Sequence, residues 1–472
     1  MNDRQEPNTP RDLAAVQAVN LVWFRDDLRT EDHPALSAAM GQGPTVGIYI
    51  LDEQTSGIRP LGGAAKWWLH HALLDLHASL EALGVPLLVF RGEPSRVFEH
   101  LASRLAVNQV HWNRRYALAE RELDTRIKSW LGEQGIEATS HAAWLLAEPW
   151  HILNNQGGAY QVFAAFYRRI QEAQLRVPLP APGAQAPITP PSGLEDCPVA
   201  ELDLLPTHPD WGGKLAAAWQ PGERSARERL DYVISEIAAD YEDGHDRPDV
   251  DGTSKLSPFL RWGHLSAQQL FSALQPLLED AGAHAGAAAM LRQLAWRDFC
   301  WHLLYHYPHL STENFRREYD AMGWAWPNEQ EQTMAEWRAW TRGETGYRLV
   351  DAGMRQLWQT GWMHNRVRMV VASFLVKNLQ IHWRAGEEWF WDTLVDADPA
   401  SNAVNWQWVA GSGTDASPFF RVFNPELQAK KFDPQGSYAA QFAPLAHEPL
   451  VDLKETRARA LQAYADMRQA RE

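Results

Sequence analysis

The chain has 472 residues but only two cysteines, Cys197 and Cys300. A disulfide framework or a cysteine zinc site needs more thiols, so both are excluded, and a reducing cytoplasm is the expected compartment. No apolar run approaches the roughly 20 residues of a membrane-spanning helix. The polar N-terminus does not have the apolar segment of a signal peptide. We therefore expect a cytoplasmic protein that does not associate with membranes.

Positive charge is scarce as well. The 44 lysines and arginines are outnumbered by 59 acidic residues, which gives a net charge of −15. Sequence-independent coating of DNA needs a broad positive field and is excluded, although a local basic groove is not. Basic residues do gather near the motifs of the C-terminal half, namely Arg366, Arg368, Arg421, Lys430 and Lys431.

Strand patterns nearly vanish after residue 215, and no Gly-x-Gly-x-x-Gly fingerprint follows the first strand pattern. Before that point, short apolar runs alternate with helix patterns, which predicts a parallel, Rossmann-like sheet covered on both faces. The expected strands are Leu21–Phe24, Thr45–Leu51, Leu87–Phe90 and Gln109–Trp112. The later part reads as successive helices, for example Gly222–Ile237, Ser266–Leu278, Ala288–Tyr305 and Gly361–Val376.

Nine prolines between residues 172 and 210 indicate an extended connector between these two parts. A chain of this length is too long for one core, so at least two domains are expected. We expect a disordered tail (1–19), an α/β domain (20–145), a linker (146–214) and an all-helical domain (215–472).

Tryptophan is abundant: there are 23, and 14 of them follow residue 260. A buried indole N–H needs a hydrogen-bond partner, so tryptophan is a costly way to fill a helical core. The density indicates rings that stack on flat ligands or bases, or that carry electrons. For a single tryptophan, ordinary packing remains the simpler interpretation.

Three motifs could carry chemistry. Residues 251–258, Asp-Gly-Thr-Ser-Lys-Leu-Ser-Pro, offer free backbone N–H groups and hydroxyls that suit a phosphate, but Ser257 before Pro258 is also an ordinary helix cap. Gln293, Trp296 and Arg297 share one helix face, as a base-binding cavity or a half-buried amphipathic face would.

The third motif joins residues 361–369, Gly-Trp-Met-His-Asn-Arg-Val-Arg-Met, to residues 396–408, which contain Asp396, Asp398 and Asn402. Arg368 can pair with Asp396 in this polar cluster. A glycosidase carboxylate pair normally occupies a barrel or groove rather than a helical bundle. A metal site is disfavoured because His364 has no second ligand at a suitable spacing.

These motifs, together with Trp-Phe-Arg-Asp-Asp-Leu-Arg at 23–29, occur in the order found in the DNA photolyase/cryptochrome flavoproteins, which the chain resembles over roughly residues 20–440. In detail it is most similar to the bacterial photolyases of cyclobutane pyrimidine dimers, of class III or class I. The resemblance implies reduced FAD as the cofactor and UV-damaged DNA as the substrate. Excited FADH⁻ would lend an electron to a dimer that has been flipped out of the duplex.

Carried over by position, the resemblance assigns residues to each task. For FAD it implies Tyr241, Thr253, Ser254, Lys255, Leu256, Ser257, Trp362, Asn365, Arg368, Asp396, Asp398 and Asn402, the last facing flavin N5. For the lesion and the DNA it implies Gln293, Trp296, Arg297, Asn365, Arg366, Met369, Trp408, Arg421, Lys430 and Lys431. For photoreduction it implies an electron-hopping chain of Trp406, Trp383 and Trp326, with Trp324 as the alternative third member.

Some positions depart from the best-known dimer photolyases. Gln293 stands where those enzymes carry a glutamate. A glutamine at this position is also found in the (6-4) photolyases and animal cryptochromes. Asn365, however, stands where (6-4) photolyases usually have a second histidine, which favours dimer repair. The stretches at 59–63 and 66–71 resemble the class III subgroup near the plant cryptochromes. A blue-light photoreceptor is the other function that the family offers.

The resemblance also implies an antenna pigment in the first domain. A 5,10-methenyltetrahydrofolate is the first choice and an 8-hydroxy-5-deazaflavin the second, with Asn113 and Glu120 as candidate ligands. A purely structural α/β domain is the alternative. We expect a monomer without a metal or an obligate protein partner.

Overall fold

The computed structural model describes residues 17–415, 420–445 and 447–469. Five strands form one sheet in the order β3-β2-β1-β4-β5, and every pair of neighbours is parallel. The strands are β1 (Val19–Phe24), β2 (Thr45–Leu51), β3 (Leu87–Arg91), β4 (Val107–Asn113) and β5 (Glu137–His141). Most of the expected tail, residues 1–16, lies outside the described residues, and Val19 already belongs to β1.

Helices cover the sheet. They are α1 (Pro34–Gln42), α2 (Gly63–Ala82), α3 (Pro94–Arg104) and α4 (Leu118–Glu133), followed by α5 (Phe163–Gln171). The leucines of α2 that recur every three or four residues are buried, and Gly84, at φ +73°, follows the end of that helix. The parallel α/β fold expected from the sequence is confirmed.

The rest of the described chain is helical. The helices are α6 (Gly212–Ala218), α7 (Glu223–Tyr232), α8 (Tyr241–Gly244), α9 (Ser257–Arg261), α10 (Ala267–Glu279), α11 (His284–His306), α12 (Glu331–Arg342), α13 (Arg348–Thr360), α14 (Asn365–Ser373), α15 (Trp383–Thr393), α16 (Pro399–Ala410), α17 (Pro425–Phe432), α18 (Ser437–Phe442) and α19 (Leu453–Gln469). Within residues 17–415, 420–445 and 447–469, none of the helices is long and apolar enough to cross a membrane.

Two expected helices differ from those observed. In place of the single helix expected at Gly222–Ile237, the structure has α7, which is followed directly by a π-helical turn at Val233–Ile237. The helix expected at Gly361–Val376 begins only at Asn365, because Gly361 adopts φ +66° and terminates α13 instead. Residues 361–364 therefore form a loop beside the site.

The proline-rich connector is extended but not loose. Gln185 pairs with Thr45 through two hydrogen bonds of 2.8 and 2.9 Å, and the N–H of Cys197 donates to Val89 O at 2.8 Å. The connector thus lies along the α/β domain. The expected linker 146–214 also contains α5 and the start of α6, so part of it is regular helix.

One hydrophobic cluster spans both domains, which also meet along a hydrogen-bonded seam. Arg261 binds Asp26 at 2.9 Å, and the N–H of Leu28 donates to Trp262 O at 3.0 Å. Gly263 adopts φ +64°, and a Cβ atom there would lie 2.3 Å from Asp26 O. Only glycine fits this approach of the two backbones.

His264 is a buried part of the same seam. Its Nδ1 lies 2.8 Å from Leu28 O, and its Nε2 accepts a hydrogen bond from Trp68 Nε1 at 3.1 Å. Burial lowers the pKa of His264 to about 4. The neutral ring satisfies both partners, whereas a protonated ring would place the Nε2–H against the Trp68 N–H.

We predict that His264 contributes to acid destabilisation. Above pH 6.5 the ring is neutral in both states, but from there down to about pH 4 only the unfolded chain takes up the proton. One such residue lowers the free energy of unfolding by at most about 1.4 kcal/mol per pH unit. Urea unfolding should show that the free energy of unfolding falls less between neutral and acidic pH in His264→Gln than in the wild type. The glutamine amide can bind both partners without taking up a proton. The exposed His77→Gln is the control; an equal loss in both variants would contradict the assignment.

Candidate functional site

A buried carboxylate, Asp396, lies at the centre of the site. Arg368 Nη2 donates to its two oxygens at 2.8 and 3.1 Å, and Ser257 Oγ donates at 2.6 Å. The indole N–H of Trp362 in turn donates to Ser257 Oγ at 3.2 Å. The structure thereby brings together four of the residues proposed for the flavin, from three separate segments of the chain.

The sequence left open whether Ser257 caps a helix or belongs to a ligand site. Helix α9 begins at Ser257 itself, and the hydroxyl bonds to Asp396 rather than to a backbone N–H of the helix. The preceding carbonyls of Thr253 and Ser254 accept from Arg229 at 2.9 and 2.7 Å. Among the described residues, the N–H groups of Thr253, Ser254 and Lys255 donate to no protein acceptor. A turn of free N–H groups suits a phosphate.

Two further polar side chains of this region have protein partners. Asp398 caps α16 by accepting from the N–H groups of Ala400 and Ser401, and it also accepts from Trp301 Nε1 at 3.0 Å. Asn402 Nδ2 donates to the side chain and the backbone carbonyl of Glu387, at 2.8 and 3.0 Å. Tyr241 is buried and stacks on His245, with 5.0 Å between the ring centroids.

His364 provides a test of whether the pocket fits a bound group. Burial lowers its pKa to about 4, so the ring is neutral at neutral pH. Its Nδ1 accepts from the N–H of Arg366 at 3.2 Å, which places the proton on Nε2. That buried Nε2 has no acceptor among the described residues. An unpaired buried donor is costly, so it indicates that a polar group completes this pocket.

Two amides proposed for the lesion are exposed. Neither Gln293 on α11 nor Asn365 at the start of α14 has a side-chain hydrogen bond to the described residues. Trp296 lies face to face with Phe163, at 3.7 Å between centroids and 8° between planes. Trp408 Nε1 donates to Asp415 O at 3.2 Å, and Asp415 accepts from the N–H of Phe163. Both tryptophans therefore border one region, and the free amide of Gln293 lies one helical turn from Trp296 on α11.

The proposed basic residues differ in their surroundings. Arg421, Lys430 and Lys431 are exposed, as DNA contacts must be. Arg366 pairs with Asp246 and lies over the Phe432 ring, near the half-buried Met369. Arg297, however, turns inward: Nη1 donates to Trp144 O at 2.9 Å and the guanidinium lies 4.8 Å from that ring. Its position indicates domain docking rather than contact with DNA.

Trp406 packs directly on α15. A Cβ atom at Gly386 would lie 2.2 Å from the Trp406 ring. Gly386 is one helical turn after Trp383 on α15. Trp326 stacks on His382 at 4.7 Å and 9°, and His382 lies 5.9 Å from Trp383. Trp324 lies 5.7 Å from His382 but is more deeply buried than Trp326. This geometry favours Trp326 as the surface end of the row.

A second row of indoles, which the sequence analysis assigned to packing, also begins at Trp406. Successive ring centroids are 5.0 to 6.3 Å apart along Trp406, Trp340, Trp337, Trp389, Trp358 and Trp211. Residue spacing could not reveal this row because it crosses α16, α12, α15, α13 and the start of α6. Trp406 is the member common to both rows.

The two candidate antenna ligands lie inside the α/β domain. Asn113 donates to Asp27 at 2.7 Å and accepts from the N–H of Ala35. Glu120 pairs with Arg115 at 3.2 Å and accepts from the N–H of Ala117. Both side chains therefore use their polar groups within the protein, and an antenna pigment at this place remains a prediction.

We predict that Arg368→Ala destabilises the protein by about 3 kcal/mol, because it leaves the Asp396 carboxylate buried without its counter-ion. The double variant Arg368→Ala, Asp396→Asn should recover part of that loss, since the uncompensated charge is gone. Urea unfolding checks both, with the exposed Arg338→Ala as the control. Equal stability of the wild type and Arg368→Ala would contradict the prediction.

The chain is similar to known proteins in sequence and in fold. Residues 20–184 match the family "DNA photolyase", and residues 290–448 match "FAD binding domain of DNA photolyase". A deoxyribodipyrimidine photo-lyase of Agrobacterium fabrum is 44% identical, over 90% of this chain and 86% of its own length. Cryptochrome-1 of Arabidopsis thaliana is 34% identical, over 90% of this chain and 62% of its own. The crystal structure of a bacterial class III photolyase from Agrobacterium tumefaciens has a TM-score of 0.89 and 41% identity, and the match covers 96% of this chain and 98% of that one. The chain therefore belongs to the DNA photolyase/cryptochrome family.

Proposed function

We propose that this protein is a light-dependent photolyase that splits cyclobutane pyrimidine dimers in DNA. The observation that carries the proposal is the arrangement around Asp396 and Asn365. The segments around Asp396 offer a buried ion pair and free N–H groups, whereas Gln293 and Asn365 offer free amides and Trp296 and Trp408 border one region. A flavin cofactor suits the first set and a flipped pair of bases suits the second.

The residues fit a bound FAD. Free N–H groups of residues 253–255 and the positive φ of Lys255 form a turn for the phosphates. Ser257, Arg368 and Asp396 would hold the flavin side through the network already described. When bound and reduced, FAD supplies on illumination the electron that splits the dimer, and it takes that electron back afterwards.

The chain's own residues would select the lesion. Trp296 and Trp408 present flat surfaces against which flipped bases can stack, and such stacking is worth about 1–3 kcal/mol per base. Gln293 and Asn365 have free amides for base edges. A damaged, poorly stacked pair costs less to extrude than a sound pair, which favours the lesion over intact DNA. Arg421, Lys430 and Lys431 would contact phosphates.

Gln293 and Asn365 also decide between related substrates. Gln293 can donate and accept hydrogen bonds but supplies neither a charge nor a proton. Asn365 leaves His364 as the single histidine of this segment, which favours cyclobutane dimers over (6-4) photoproducts. The likeness to a class III photolyase supports the same choice. Because the chain is also 34% identical to a plant cryptochrome, a signalling photoreceptor is the second candidate function.

A folate antenna, with a deazaflavin as the alternative, and a monomeric state complete the proposal. Asn113 and Glu120 are the residues named for the antenna, although both have protein partners. An absorption spectrum before and after denaturation identifies every bound pigment at once.

The repair reaction is tested directly. Reduced protein is mixed with an oligonucleotide that carries one thymine dimer and is exposed to blue light. We predict loss of the dimer in the light and none in a dark control. A protein that contains flavin but leaves the dimer intact under illumination would support the photoreceptor instead.

Trp406→Phe separates photoreduction from repair. Because both indole rows begin at Trp406, we predict that the variant loses most photoreduction of oxidised flavin. Chemically pre-reduced variant should still repair dimers, since the electron for repair does not pass through tryptophan. Flash spectroscopy and the dimer assay measure the two steps, with Trp130→Phe in the α/β domain as the control. Equal loss of both activities would assign Trp406 a purely structural role.

A further inference from the structure

Glu387 is a buried carboxylate outside the Asp396 network. It lies on α15 with 1% of its side chain exposed. Its Oε1 accepts from Arg59 Nη1 at 2.7 Å and from Asn402 Nδ2 at 2.8 Å. Its Oε2 has no hydrogen-bond partner among the described residues, and Arg384 Nε is 3.9 Å away. Among the described residues, a single arginine and a single amide are therefore the hydrogen-bond donors to this carboxylate.

That arginine comes from the other domain. Arg59 lies 4.4 Å over the Trp391 ring, and Trp391 Nε1 donates to Pro60 O at 2.9 Å. The N–H of Gly63 donates to Asp392 at 2.8 Å, and a Cβ atom at Gly62 would lie 2.2 Å from Trp391 O. Residues 59–63 are thus docked tightly on the C-terminal half of α15, which holds the guanidinium against Glu387.

The contacts of Asn402 define how its amide is turned. Both hydrogen bonds to Glu387, one to the side chain and one to the backbone carbonyl, come from Nδ2. The amino group is thereby committed to Glu387. The carbonyl Oδ1 is left as the group that Asn402 can offer to the pocket.

We propose that Arg59 is a positioning residue for the flavin: it keeps Glu387 a hydrogen-bond acceptor, so that Asn402 presents its carbonyl to flavin N5. This rests on the proposed function, in which Asn402 faces N5. Reduced flavin carries a proton on N5 and donates to a carbonyl, whereas oxidised flavin has an unprotonated N5 and would need the amino group. The interdomain contact thus favours the reduced cofactor that repair requires.

Electrostatics shows why Glu387 depends on Arg59. Burial raises the pKa of Glu387, the Arg59 and Arg384 charges oppose that rise, and Glu388 adds to it. Without Arg59 the buried carboxyl would take up a proton and become a donor. Asn402 would then turn its amide over to accept from it, giving up the hydrogen bond to the Glu387 backbone carbonyl, and its amino group would face N5.

The test uses the flavin-loaded protein and the variant Arg59→Met, which keeps the side-chain length but removes the charge. One lost hydrogen bond is worth about 1.4 kcal/mol, or tenfold in an equilibrium. We expect the ratio of reduced to oxidised flavin to fall about tenfold at a given potential, a shift of about −30 mV for a two-electron couple. Raising the pH should ionise Glu387 and restore the wild-type potential, which a merely structural role of Arg59 would not do.

Two control variants separate charge from docking. Arg59→Lys retains the charge and should keep the wild-type potential at every pH. Asp392→Asn weakens the same docked segment without touching Glu387 and should also leave the potential unchanged. An unchanged potential in Arg59→Met, or a shift that does not depend on pH, would overturn the proposal.

A measurement on the unaltered protein covers the case in which Arg59→Met does not fold. Infrared spectra of the flavin-loaded wild type and of Glu387→Gln are compared for the band of a protonated carboxyl. The proposal requires that Glu387 give no such band at neutral pH, and its presence would falsify the role of Arg59. Dimer repair is assayed in the same preparations. If the flavin potential of Arg59→Met is unchanged but dimers are repaired, only the positioning role of Arg59 is rejected. If the potential shifts with pH but dimers are not repaired, only the repair function is rejected.

Discussion

The buried carboxylate of Asp396 determines the geometry of the cofactor side of the pocket. A buried carboxylate is tolerated only when it is paired and hydrogen-bonded. Ser257 reaches it from 139 residues earlier in the chain, and Arg368 reaches it from α14. The start of α9, the start of α14 and the loop after α15 must therefore meet at one point. The free N–H groups that precede α9 are placed at the same time.

Much of the fold follows from local patterns. The apolar runs predict four of the five strands because each of these strands contains a continuous buried stretch. Strand β5 was missed, since Glu137–His141 has no apolar run and is only half buried at the edge of the sheet. The start of α14 was misplaced as well, because the helix expected from Gly361 begins only at Asn365, and Gly361 ends α13 instead. Whether a glycine ends a helix depends on its φ, which composition does not reveal.

The site was predicted unevenly, for a physical reason. Residues close in sequence, such as Gln293 and Trp296, can be placed on one helix face from spacing alone. Their tertiary neighbours cannot: Phe163, which stacks on Trp296, lies in a segment expected to be a linker. Arg59 and Glu387 are 328 residues apart, and although Arg59 belongs to the stretch at 59–63, nothing in the sequence pairs it with Glu387. Contacts of this range are visible only once the domains are assembled.

The seam between the domains also has a consequence for synthesis on the ribosome. Trp68 and its partner His264 are 196 residues apart. At roughly 5–20 residues per second, Trp68 is synthesised about 10–40 s before His264. During that interval the face that carries Trp68 is an uncovered apolar surface on a nascent chain. A protein with a hydrophobic cluster shared between its domains thus exposes part of that cluster to the crowded cell each time it is made.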